Sequence, residues 1–239
     1  MLTATQLQKA LDLAADPTYA RGLQRFFKTA KGEYGEGDIF IGLKVPMLRR
    51  ITARYRSLPL EQIEVVLESP VHEHRLAAVI IMADQAKMAQ PKQQKALFEL
   101  YLRRTDRLNN WDIIDASCPR VVGAYLQDKP KDVLFTLARS SNFWERRIAM
   151  VSTAWFIRAG QLDDAFAIAT VLLNDQHDLI HKAVGWMLRE AGKKDEAALK
   201  QFLDAHAGTM PRTTLRYSLE RLNEVDKAYY MNRNNFGVQ

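Results

Sequence analysis

Apolar residues return at i, i+3, i+4 and i+7 along almost the whole chain, as at Leu60, Ile63, Val66 and Leu67, or at Ile148, Val151, Trp155 and Ile157. That spacing keeps one stripe of a 3.6-residue helix apolar, so the pattern predicts amphipathic helices. No segment sustains the alternation of a strand. "DIFIGLKV" (residues 38–45) comes nearest, and the glycines at its flanks favour a loop. Helix punctuation agrees: Asn142 with Glu145 three residues on resembles a capping box, Pro59 suits a helix start, and "RAG" and "EAGKK" suit helix ends. About a dozen helices with short connections follow from this reading. No linker rich in Ser, Gly or Pro interrupts them, so residues 1–239 read as a single continuous domain.

Laid over itself, the chain repeats. "HEHRLAAVIIM", "WERRIAMVSTAW" and "LIHKAVGWMLRE" each place a cation before an alanine-containing apolar stretch, which superposes Arg75, Arg147 and Lys182. "PRTTLRYSLERL" offers a fourth copy with Arg216 in register. The intervals match those of stacked helical repeats, in which each helix pair buries its apolar face against its neighbours. The expected fold is therefore all-α, an α-α superhelix or solenoid. Such stacks curve, and equivalent positions would line one concave face, here a basic one.

Composition narrows the function. With 47% hydrophobic and 26% charged residues, the chain has the balance of an ordinary soluble globular protein. Lys and Arg number 34 against 28 Asp and Glu, a formal charge of +6 that suits a polyanionic partner. The single cysteine, Cys118, excludes an internal disulfide and a cysteine-based zinc cage and fits a reducing compartment, so a cytoplasmic location is expected. The start, "MLTATQLQKALDLAADP", reads as an amphipathic helix rather than a signal peptide. The longest apolar run, "LAAVIIMA", falls short of the ~20 residues that cross a bilayer, so no membrane association is expected.

Three stretches carry candidate chemistry. In "LNNWDIIDASCPR" (residues 108–120), Trp111 and Asp115 stand one helical turn apart on the same face. A core Trp beside a solvated Asp is the commoner outcome for such a pair. Here, however, Ile113, Ile114, Ala116 and Ser117 make the better buried face, and Asp112 suits the positive end of the helix dipole. In "NFWERRIAMVSTAWF", periodicity turns Trp144 and Trp155 toward the core and leaves at least one Arg outward; Arg147 shares its edge with Lys182, and Trp186 follows Lys182 by one turn. In "YARGLQRFFKTAKGEYGEGD", Arg21, Arg25, Lys28 and Lys31 interleave with Phe26, Phe27 and Tyr34, the mixture that binds phosphates while wedging an apolar group against bases. An amphipathic helix with a buried Phe pair explains that pattern equally well. Gly32, Gly35, Gly37 and Gly42 form no nucleotide-binding fingerprint, and His177 and His181 lack a third metal ligand.

"NNWDIID", "WERRIAMVSTAWFIR", "HKAVGWMLRE" and "GLKVP", in this order and spacing, resemble the bacterial AlkD family of DNA glycosylases, which are built from HEAT-like helical repeats. The likeness runs from about residue 20 to about residue 220. It implies that Trp111, Asp115, Arg147 and Trp186 take the places of the family's catalytic Trp, catalytic Asp, active-site Arg and second cradle Trp. It also implies a monomer that acts on double-stranded DNA containing alkylated bases, releasing cationic N3- and N7-alkylated purines with no metal and no cofactor. Phe26 falls where the family has a tyrosine in a helix entering the minor groove, and Lys44 and Val45 replace polar residues before the shared proline. A paralogous group without that helix is impaired in DNA binding and excision; "LQRFFKT" here supplies one. By the same resemblance Phe26, Lys28, Lys44, Lys182 and Arg212 are expected to contact DNA. A non-catalytic HEAT-like DNA binder would share the basic face, and a protein-binding scaffold would share only the repeats.

Overall fold

The computed structural model describes residues 1–233, and among them it is built from helices joined mostly by short turns, the segment 27–44 being a longer connection. The chain forms two compact units, Met1–Tyr125 and the part from Leu126 onward.

In the first unit the helix His72–Ala86 is the centre, buried along nearly its whole length. It packs against Val45–Thr52, Leu60–Leu67 and Trp111–Cys118. A helix apolar on all sides must be covered on all sides, and "LAAVIIMA" supplies that surface. In the second unit Phe143–Ser152 packs against Asp132–Ala138 and Asp178–Gly192, and Asp178–Gly192 packs in turn against Glu196–His206 and Arg212–Leu219. Two of the three segments that superpose in sequence, Phe143–Ser152 and Asp178–Gly192, thus pack on one another in this unit, as the helices of stacked repeats do. Gly185 allows the approach of Arg212–Leu219, because a Cβ there would collide with the Thr214 carbonyl oxygen and the Tyr217 side chain.

Local signals are met at particular residues. Asn142 caps its helix by accepting the Trp144 N–H, "RAG" ends a helix at Gly160 with φ 80°, and the Asp178–Gly192 helix stops at "AGKK". "DIFIGLKV" is a loop whose Ile39 makes one isolated bridge to Val71. In place of a strand ladder, the buried Glu73 carboxylate accepts the backbone N–H groups of Ile41, Gly42 and Leu43. Gly42 turns there at φ 88°, a left-handed conformation that any Cβ would strain.

Repeat register does not translate into a uniform row of surface cations. Arg75 is only 3% exposed and Arg147 only 5%, whereas Arg216 is open to solvent. The cause is coverage of the helices that carry the first two: each guanidinium is held inside by acceptors, Asp38 and the Ser69 carbonyl for Arg75, and the Leu179 carbonyl for Arg147. The outward arginine expected from "WERR" is not found at Arg146 either, since Arg146 chelates Asp175. No helix among the described residues is long and apolar enough to cross a membrane.

Candidate active site

The helix Trp111–Cys118 starts at Asn110, whose side chain caps the Trp111 N–H at 2.9 Å. Ile113, Ile114, Ser117 and Cys118 face the core, so the stripe between them, with Trp111 and Asp115, is left half-buried. Pro119 follows, and because proline donates no hydrogen bond the backbone widens to a π-turn over Pro119–Gly123 before the helix resumes. Ser117 is anchored at the same level by the buried Tyr101 hydroxyl, 2.8 Å away.

What fixes the first turn of this helix is a buried polar network. His72 Nδ1 lies 3.1 Å from Asp38 and its Nε2 lies 2.9 Å from Asp112. Asp38 also accepts from Arg75, Asn109 and Asn110. Asp112 does support the helix start, accepting the Ile113 N–H, and it reaches past it to His72. Burial by itself would lower the pKa of His72; the charge and hydrogen bond of Asp112, and then those of Asp38, overcome it and hold the imidazole up at about 9. Burial would likewise raise Asp38, but the His72 hydrogen bond and the Arg75 charge bring it down to about 2. At neutral pH the network is therefore a protonated imidazole donating to two carboxylates, with a guanidinium on the first of them.

Against this helix leans an aromatic stack. Phe27 is 6% exposed, lies stacked on Trp111 at 5.2 Å and on Phe40 at 4.9 Å, and forms a satellite core with Ala20. Phe26, next in the chain, is 63% exposed and meets the Trp111 ring edge-on at 5.9 Å. Rotation of about 100° per residue separates the two rings in this way. The helix Pro17–Phe26 ends at this residue, so Lys28 does not ride on it: Lys28 sits beyond the C-cap with φ 51° and points into solvent from a turn. Lys44 is exposed at the start of Val45–Thr52, its ammonium 5.5 Å from the Tyr19 ring centroid.

The second unit holds the remaining predicted residues. Lys182 is paired with Asp178 at 2.7 Å on the helix Asp178–Gly192, and Trp186 is half-buried one turn further on. Arg147, on Phe143–Ser152, donates to the Leu179 carbonyl at the first turn of that same helix. His177 caps this helix by accepting the Leu179 N–H and stacks on Phe143 at 3.9 Å, and His181 bonds to the Asp175 carbonyl; both histidines are structural. Arg212 is exposed and donates to the Met231 carbonyl. No group of side chains suited to a metal ion occurs among the described residues.

The sequence reading missed the network. Its signal was present in "HEHR", four polar residues directly ahead of the most apolar run, where a helix covered on all sides has to bury them. Asp38 and Asn109, distant in sequence, carried no such mark.

Comparisons agree with the architecture. The family model described as DNA alkylation repair enzyme matches residues 7–222. No curated protein matches the chain. Among solved structures, one described as a predicted DNA alkylation repair enzyme from Enterococcus faecalis superposes with a TM-score of 0.69 at 17% identity, covering 88% of this chain and 97% of that one.

Proposed function

Since the chain belongs to the DNA alkylation repair enzyme family, we propose that it is a metal-independent DNA glycosylase, excising cationic N3- and N7-alkylated purines from duplex DNA. The observation that carries the proposal is the half-exposed pairing of Trp111 with Asp115 on a helix whose first turn is locked by buried charge.

The chemistry needs little beyond that pair. A purine alkylated at N3 or N7 already bears a positive charge, so it departs as a neutral base without a general acid. The cost lies in the oxocarbenium-like sugar left behind. A carboxylate fixed in place before the reaction lowers that cost, and Asp115 in this role also orients the attacking water. The Trp111 ring holds the deoxyribose, favoured by attraction between a cationic sugar and a ring face, and Trp186, on the second unit, offers a ring to the DNA backbone. Arg147 is held inside by the Leu179 carbonyl and reaches a phosphate only by exchanging that acceptor for it. Phe26 acts as an apolar wedge in the minor groove, with Lys28, Lys44, Lys182 and Arg212 on the backbone. Lys182 exchanges Asp178 for phosphate at little cost, because an exposed i, i+4 ion pair contributes only about 0.3–0.5 kcal/mol.

The direct test is release of free 7-methylguanine or 3-methyladenine from methylated duplex DNA by the purified protein. Release above the spontaneous rate supports the reading. Tight binding to the duplex without release assigns the chain to non-catalytic DNA binding instead.

A further inference from the structure

The glycine-rich turn "AKGEYGEGD" does more than connect two elements. Its Tyr34 hydroxyl accepts the Trp111 indole N–H at 3.3 Å and lies 3.5 Å from the Phe26 carbonyl oxygen, to which it can donate. One hydroxyl thus joins the ring of the candidate site to the end of the helix that carries the exposed Phe26.

The turn is built to hold that tyrosine still. Gly35 N–H donates to the Lys28 carbonyl at 3.0 Å, and a Cβ at Gly35 would collide with the Phe27 carbonyl oxygen, so the turn closes tightly on the stack. Glu33 and Glu36 fold back on the Ala30 and Gly32 N–H groups. The far end is Asp38, already fixed in the buried network with His72 and Arg75. Trp111 is therefore gripped three ways: Phe27 against its face, Phe26 at its edge and Tyr34 at its polar tip. Packing on a face leaves a ring able to slide within its plane; a hydrogen bond at Nε1 removes that freedom.

We propose that Tyr34 is a positioning residue that fixes the in-plane orientation of the Trp111 indole for base excision, an inference that rests on the glycosylase reading above. Loss of its hydroxyl loosens the ring without touching substrate. A shift of a fraction of an ångström in a group that cradles the reacting sugar is expected to slow the chemical step while leaving ground-state DNA binding alone.

Tyr34→Phe tests this, because it removes one oxygen and keeps the ring. Three quantities are measured: the single-turnover rate of 7-methylguanine release, the Kd for an undamaged duplex, and the Trp111 indole N–H resonance in a ¹H–¹⁵N spectrum, assigned by its disappearance in Trp111→Phe. The expected result is a rate lower by roughly five- to tenfold, an unchanged Kd, a melting temperature lower by no more than about 2–4 °C, and an indole resonance that moves and exchanges faster with water. An unmoved resonance overturns the proposal, and so does an unchanged rate in an active wild type. If the wild type releases no base, the glycosylase reading fails at that point and with it the catalytic consequence claimed for Tyr34, while the resonance still reports whether the hydroxyl holds the ring.

Discussion

Two helices each present a half-buried tryptophan, Trp111 on Trp111–Cys118 and Trp186 on Asp178–Gly192, and the protein fixes them by different physics. The first is held by buried charge: a protonated His72 between Asp38 and Asp112, with Arg75 beside them. The second is held by close helix-to-helix packing at Gly185 and by a histidine in the opposite state, since His177 caps the helix as an acceptor and burial pushes its pKa down. A network of charges gives directional control but depends on every member remaining present. Close packing is less directional and more tolerant.

That contrast ranks the expected damage. Asp38→Ala takes the carboxylate from the buried Arg75 and one of two from His72, and breaking one partner from a buried ion pair costs roughly 3–5 kcal/mol, or a melting temperature lower by on the order of 10 °C. Gly185→Ala pushes a methyl group into the Thr214 backbone, an overpacking cost of roughly 1–3 kcal/mol, offset by about 1 kcal/mol of gained helix propensity. Thermal unfolding compares the two; a Gly185→Ala variant less stable than Asp38→Ala would reverse the ranking.

The two regions should also answer pH in opposite senses. His72 has a folded-state pKa of about 9 against an ordinary 6.5, so its contribution is whole below pH 6.5 and fades as pH climbs toward 9. His177 is depressed, so its contribution is whole above 6.5 and is lost as pH falls below that value. Asp38 adds an acid limb, its share disappearing as pH drops from 3.8 to about 2. Hydrogen exchange, corrected for its intrinsic pH dependence, is expected to show the first turn of Trp111–Cys118 loosening from pH 7 to 9, and that of Asp178–Gly192 loosening from pH 7 to 5. Parallel responses in both helices would dissolve the contrast.

The smallest effect on stability is expected where the sequence was hardest to read. Phe26→Ala should change the melting temperature little, because an exposed side chain contributes within about 0.5 kcal/mol, yet it should weaken binding to a duplex if the ring is a groove wedge. Phe27→Ala should do the reverse, costing roughly 3–5 kcal/mol as a buried aromatic. Equal stability losses in the two would remove the distinction that the structure draws between neighbours in the stack.

These cases show what a sequence makes legible. Helical periodicity, caps at Asn142 and Gly160 and the repeated helices were readable because each is set by residues a turn or two apart. The division between Phe26 and Phe27 was not, because a wedge and a buried pair fitted the segment equally well, and only the packing of Phe27 on Trp111 and Phe40 decides it. Burial of Arg75 and Arg147 was not readable, because it depends on acceptors supplied by distant segments, Asp38 and Leu179. Lys28 was misplaced onto a helix because nothing in "RFFKT" marks the residue at which φ turns positive. The grip of Tyr34 on Trp111 also joins positions far apart in the chain, and only the folded turn brings them together.

Base release is expected to depend most on Asp115. Asp115→Asn keeps the shape of the side chain and removes its charge, so single-turnover release of 7-methylguanine from methylated duplex DNA measures what that charge does. The expected rate is lower by roughly 10²–10³-fold or more, with affinity for the duplex unchanged or slightly higher, since a negative charge facing phosphate has gone. Release at the wild-type rate would contradict it.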